Sequence, residues 1–300
     1  MLKRGAVSDW IIYQLVCILS FGLSLLPLNA SFWLARQLGN LLYFCMPNRR
    51  KVTLENIQAA LGQELTVKQQ KKIARTAFQN AGLSIVELFL VKKIKHEARK
   101  RIRLMGNEHL EKAFSNGKGV LLVISHLVSW ELLAFLPYLT DHLWSVVVKD
   151  IRNPYLNKKI DSLRREMKLM PIAKAGSIKE VLRKFRRNEG VAILTDQWAG
   201  NDGLWLDFFG RPTSTTSIPA RLAKQTGCAL IPAYCLRDAA GRYSINIEPQ
   251  IEFNEVEKNW EVAMTGRLSR VLERQIRTYP EQWMWGHRRW KKKPAFSRAG

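Results

Sequence analysis

His126 and Glu131 stand five residues apart, directly behind the apolar run Val120-Leu121-Leu122-Val123-Ile124. An imidazole titrates near neutrality and is suited to taking a proton from a hydroxyl, while a carboxylate can fix its tautomer and stabilise the imidazolium. On a regular helix five residues turn through about 140°, so the two side chains could not meet inside one. They meet only at a junction, with His126 in a turn and Glu131 in the first turn of the next helix. The uncharged, partly β-branched run predicts a strand covered on both faces, with Ser125 capping a helix over residues 130–139. His126 then lies at the carboxyl end of a strand, where open α/β sheets bind their ligands. By spacing alone, a satisfied buried histidine and a first-turn carboxylate is the commoner meaning of such a pair, and it is the apolar strand directly ahead that points to chemistry.

Asp196 occupies the equivalent place behind Val191-Ala192-Ile193-Leu194-Thr195, and Gln197-Trp198-Ala199-Gly200 continues as a loop. Its type and position suit either an Asx turn or a site carboxylate. Asn153-Pro154 opens a helix that carries Arg164 and Arg165, read as a surface charge pair or as an anion clamp. Ser129 lies within the histidine spacing but lacks a G-x-S-x-G elbow, which argues against an acyl-serine intermediate.

These residues need a scaffold, and the pattern provides one. Strands expected at 102–105, 120–124, 144–148, 191–195, 229–236 and 243–247 alternate with helices near 107–116, 154–167, 177–188, 217–225 and 260–278. That alternation predicts an α/β fold with a largely parallel central sheet flanked by helices. Ahead of it, no charged residue occurs between Asp9 and Arg36, and residues 10–28 are almost wholly apolar. The stretch is long enough to span a membrane and too long for the apolar core of a signal peptide. Lys3 and Arg4 precede it, while Arg49, Arg50 and Lys51 follow a second apolar segment, residues 32–46. Residues 1–48 are therefore expected to form a helical membrane anchor, as one span or a re-entrant pair broken at Pro27, with a catalytic domain over 49–300.

Lys and Arg exceed Asp and Glu by 23 among 300 residues, so an acidic partner surface is expected: nucleic acid, anionic lipid or an acidic protein. Lys92 to Arg101 is a basic run, read either as a solvated face or as a contact for lipid phosphates. The tail carries Arg288, Arg289, Lys291, Lys292, Lys293 and Arg298, interleaved with Trp283, Trp285 and Trp290. Indoles beside cations fit a membrane interface, and fit stacking on single-stranded nucleic acid equally well. Cys17, Cys45, Cys228 and Cys235 show neither zinc nor disulfide spacing. A non-catalytic binding protein remains the rival to an enzyme, although no nucleic-acid module is recognisable.

Taken together, the chain resembles the lipid A late acyltransferases, the lauroyl and myristoyl transferases of the lysophospholipid acyltransferase superfamily. The resemblance rests on Gly117-Lys118-Gly119, the box from His126 to Glu131, Asn153-Pro154 with Arg164, Asp196-Gln197 and Phe208-Phe209-Gly210. It continues through Pro219 to Ala223 with Thr226-Gly227, and Pro280 to Trp285 with His287-Arg288-Arg289. Inside the box stands Leu127-Val128-Ser129-Trp130, where many members carry Phe-Gly-Asn-Trp. The resemblance implies acyl transfer from acyl carrier protein to a hydroxyl of an anionic glycolipid, a lipid A precursor, at the cytoplasmic face of an inner membrane. Relatives with this architecture acylate mannosylated phosphoinositides or other glycolipids. It also implies His126 as general base with Glu131, and Arg164, Asp196 and Asn153 as substrate-binding residues. No metal, no organic cofactor and no nucleic acid are called for.

Overall fold

The computed structural model describes residues 4–253 and 257–291. Four helices lead: α1 (Arg4–Leu25), α2 (Leu28–Cys45), α3 (Pro47–Leu61) and α4 (Val67–Phe89), followed by the short α5 (Val91–His96) and α6 (Ala98–Arg101). Then come β1 (Ile102–Met105), α7 (Asn107–Ser115), β2 (Val120–Ile124), α8 (Leu136–Leu139), β3 (Trp144–Val148), α9 (Pro154–Glu166) and β4 (Leu169–Ala173). The chain continues with α10 (Ser177–Arg186), β5 (Gly190–Leu194), β6 (Leu204–Phe208), β7 (Arg211–Thr215), α11 (Ile218–Thr226), β8 (Ala229–Arg237), β9 (Tyr243–Ile247) and α12 (Trp260–Thr278).

Seven strands form one sheet in the order β1-β9-β8-β2-β5-β3-β4, parallel throughout except between β8 and β9. β2 lies near the middle and every residue of it is buried. Successive side chains of a strand point to opposite faces. Accordingly Val120, Leu122 and Ile124 join the larger core cluster, and Leu121 and Val123 the one on the other face. The α/β expectation from the alternating pattern is met.

Two elements differ from the sequence reading. β4 contains Pro171, which hides its strand character; it is an edge strand, where a missing N–H is tolerated. Residues 204–215, where the sequence pattern marked no strand, form the antiparallel hairpin β6–β7. Its turn places Phe209 and Gly210 at φ 53° and 67°, both in the left-handed region.

Helix α1 is long and apolar enough to cross a membrane, and many of its large side chains are exposed, among them Trp10, Ile18 and Phe21. By contrast α2 is largely docked. Leu28, Phe32 and Ala35 enter the main core, while Trp33, Leu41 and Phe44 on its other side stay exposed. Helix α4 begins with a capping box made by Thr66 and Gln69 and lies against α2 at a glycine contact. A Cβ added at Gly82 would stand 2.4 Å from the Ala35 carbonyl oxygen, and one at Gly39 2.4 Å from the Gln79 backbone. Gly82→Val should therefore force the two helices apart and lower stability by about 1–3 kcal/mol. A denaturation midpoint equal to that of the parent protein would show that α2 is not packed in this way.

Candidate active site

The ladder between β2 and β5 pairs Val120 with Gly190 and Ile124 with Leu194, and Thr195 N–H still donates to the Ile124 carbonyl at 3.2 Å. Two residues further along the same register lie His126 and Asp196. His126 Nδ1 stands 2.7 Å from Asp196 Oδ1, and the His126 backbone N–H donates to Oδ2 at 2.9 Å. The Trp283 indole N–H donates to that same Oδ2 at 2.8 Å. The Asp196 carboxylate is thus fully enclosed and bonded on both oxygens, and Nδ1 of His126 carries the shared proton. Nε2 is left for a substrate, with Gln197 Nε2 at 3.4 Å.

Glu131 is not the partner of the His126 ring, as the sequence reading had it. It lies in a 3₁₀ turn, Trp130–Phe135, where its carboxylate takes a forked pair of bonds from Arg164: Nε to Oε2 at 3.2 Å and Nη2 to Oε1 at 2.7 Å. Arg164 Nη1 donates to Asp161 at 3.1 Å, so the whole guanidinium is engaged by two carboxylates. Asn153 is engaged as well. Its Oδ1 caps α9 by accepting from the Tyr155 and Leu156 N–H groups, and its Nδ2 donates to the Asp9 carbonyl of α1 at 2.8 Å. The structure gives it a joining role rather than a place beside His126. Ser125 makes no helix cap either; the 3₁₀ turn is preceded by Ser129, at φ 65°.

That strained Ser129 is held by two bonds to α4. Its N–H donates to Ser84 Oγ at 3.3 Å, and its hydroxyl donates to Glu87 Oε2 at 2.6 Å. Tyr243 donates to the other oxygen of Glu87 at 2.9 Å, and Arg237 lies 3.7 Å away. Burial pushes the Glu87 carboxyl above its ordinary pKa, against the pull of Arg237 and the two hydroxyls. On the other side, the C-terminal segment straps the loop: Val128 N–H donates to the Gln282 carbonyl at 2.7 Å and Met284 N–H to the His126 carbonyl at 3.1 Å.

Sequence reasoning did not assign Trp283, Gln197, His287, Arg289 or Glu87 to this neighbourhood. Trp283 and Trp285, expected at a membrane interface or stacked on bases, are buried, and Trp285 donates to the Pro280 carbonyl. Arg289 is buried too, donating to the carbonyls of Gln197 and Ser214 and to the Thr215 hydroxyl. His287 Nε2 accepts the Trp198 N–H at 3.1 Å, and burial lowers its pKa to about 4, so it is neutral. Lys292, Lys293 and Arg298 lie outside the described residues. The signal in the sequence was the absence of any acid from His287 onward, which has two meanings: an outward basic face, or an inward clamp on carbonyls and on Asp196.

Burial disfavours a charged His126, but the Asp196 carboxylate, and more weakly Glu131, outweigh it and hold its pKa above 6.5. The same pairing holds Asp196 at about 2 despite its burial.

A match over residues 3–292 joins this architecture to the family of bacterial lipid A biosynthesis acyltransferases. The chain belongs to that family. It is 25% identical over 204 residues to a phosphatidylinositol mannoside acyltransferase of Mycobacterium tuberculosis, covering 66% of this chain and 63% of the relative. It is also similar to two Escherichia coli proteins. With the lipid A biosynthesis palmitoleoyltransferase it shares 23% identity over 273 residues, 90% of this chain and 87% of the relative. With the lipid A biosynthesis lauroyltransferase it shares 25% over 283 residues, 90% and 88%. The resemblance seen in the motifs is thereby confirmed at the level of the family.

The paired shifts predict opposite pH dependences of stability. A raised His126 pKa contributes stability that is complete below 6.5 and is lost as pH rises through the raised value. Asp196 contributes stability above 3.8 that is lost as pH falls through about 2. In an NMR titration His126 should titrate above 6.5, and Asp196→Asn should bring it down. A His126 that titrates identically in both proteins would mean that Asp196 is not its partner in solution.

Proposed function

We propose that the protein moves a fatty acyl chain from the thioester of an acyl carrier protein to a hydroxyl of a lipid A precursor or related anionic glycolipid, at the cytoplasmic face of the inner membrane. The observation that supports this most is the His126–Asp196 pair, whose free nitrogen Nε2 sits on a side chain that is 17% exposed. Nε2 takes the proton of the acceptor hydroxyl as its oxygen attacks the thioester carbon. The tetrahedral oxyanion collapses, the carbon–sulfur bond breaks, and the imidazolium returns the proton to the departing thiolate. Asp196 keeps Nδ1 protonated and stabilises the imidazolium, and Gln197 offers its amide N–H groups to the oxyanion. These steps draw on no metal or organic cofactor.

Glu131 adds a second negative charge near the imidazolium, and Arg164 holds that carboxylate in place rather than gripping a substrate phosphate. Beside Glu131 and Arg164 lies an apolar pocket walled by Ile124, Trp130, Leu133, Trp144, Val146 and Leu194. Its lining is of the kind that takes hydrocarbon, and at about 30 Å³ it is too small as it stands for a long acyl chain. The exposed apolar face of α1 serves as the anchor, with the outer face of α2 beside it in the interface.

Thioester turnover with acyl carrier protein and glycolipid tests the assignment. His126→Ala should lower kcat by roughly 10²–10⁴-fold. Arg164→Lys replaces a fork by a point charge and should lower kcat with little change in acceptor KM. Turnover by folded His126→Ala at the parent rate rejects the base, and an Arg164→Lys defect confined to acceptor KM gives the guanidinium back to the substrate.

A further inference from the structure

A groove of about 590 Å³ lies between α1 and the body of the protein, away from the His126–Asp196 pair. On α1 it is bounded by Cys17, Ser20, Phe21 and Ser24, whose spacing of three and four residues places them on one face of the helix. The opposite wall supplies Phe89 and Leu90 from the end of α4, Lys92, Lys93 and His96 from the region of α5, and Lys159 and Leu163 from α9. Lys92, Lys93, His96 and Lys159 are basic, and no lining residue is acidic.

The four basic groups are not equally committed. Lys93 donates to the carbonyls of Ser24 and Leu26 and so closes the carboxyl end of α1. Lys92 is paired with Glu166 at 2.7 Å, with both side chains largely in solvent, where such a pair is weak and exchangeable. Lys159 is half-buried and, among the described residues, has no hydrogen-bond or ion-pair partner; His96 is exposed and has none either. Lys159 thus brings to the groove an ammonium that is not committed to a carboxylate among the described residues, and an anion there gives it a charge-assisted partner. The adjacent apolar surface of Phe21, Phe89 and Leu90 suits hydrocarbon, and α1 is the helix whose outer face is apolar enough for a membrane.

We propose that this groove binds one anionic glycerophospholipid from the membrane. Its phosphate lies against Lys159, Lys92 and His96, and its acyl chains run along Phe21 and the apolar face of α1. The lipid ties α1 to α9 and so sets the height of the catalytic domain above the bilayer. The basic run from Lys92 thus has a structural use at Lys93 and a headgroup use at its neighbours.

The test is native mass spectrometry of the full chain in neutral detergent, offered dioleoylphosphatidylglycerol or dioleoylphosphatidylcholine. The parent protein should retain the anionic lipid preferentially. Lys92→Gln with Lys159→Gln should weaken that retention by roughly tenfold or more. Lys71→Gln with Lys72→Gln, which removes the same charge from the exposed start of α4, should leave it unchanged. Equal losses in both pairs would reduce the effect to overall charge and overturn the site, as would equal retention of the two lipids. Displacement by millimolar inorganic phosphate would overturn the lipid assignment. A raised acceptor KM in the Lys92/Lys159 variant, without loss of phosphatidylglycerol, would make the groove part of the substrate site instead. Loss of phosphatidylglycerol binding would stand whether or not acyl transfer is the activity.

Discussion

The enclosed carboxylate of Asp196 is the constraint on which the site depends. An anion without water costs several kcal/mol unless it is paired and its lone pairs are satisfied. Here the carboxylate stands at the strand end after β5, and its satisfaction comes from two other stretches: the turn after β2 that supplies the ring and N–H of His126, and the C-terminal segment that supplies the Trp283 indole. Neither can move away without leaving a charge or a donor stranded. The C-terminal indoles and Arg289 therefore act as a clamp, and the reactive imidazole is oriented by the way the chain closes on itself.

Much of the frame was legible before any coordinates. Apolar runs of five residues, each ending in a polar residue, marked β2 and β5, and parallel neighbours in register bring their ends together. What could not be read was which strands are neighbours. Without the order β8-β2-β5-β3, Glu131 was the obvious carboxylate for His126 because it is close in sequence, and Asp196, seventy positions away, was placed at an equivalent strand end but read as a substrate-binding residue rather than the partner of the ring. The tryptophans failed for a related reason. An indole is equally suited to a bilayer interface and to a buried donor, and only the position of an unpaired carboxylate tells which. Ser129 and Glu87 show the same limit: a positive φ and a partner on α4 are facts of the fold, with no local pattern to announce them.

The apolar N-terminal region divides in a way hydropathy does not report. α1 and α2 are both apolar, but α2 carries Gly39 where α4 carries Gly82, and the absence of both Cβ atoms lets the backbones close together. Leu28, Phe32 and Ala35 then belong to the core of the sheet domain. The core reached by α2 already includes Leu23 near the end of α1.

The charge distribution has a mechanistic consequence. The chain carries a formal charge of +23, yet Asp196, Glu131 and Asp161 surround one guanidinium and one imidazole near the reacting nitrogen. With His126 neutral, that cluster is net negative, which favours an imidazolium at His126 and disfavours a phosphate close by. In the proposed transfer to an anionic glycolipid, the uncharged hydroxyl is therefore the part of the acceptor that approaches Nε2 at low electrostatic cost. Locking Arg164 between two carboxylates serves this arrangement, because a free guanidinium at that position would compete with His126 for both the charge balance and the acceptor's phosphate.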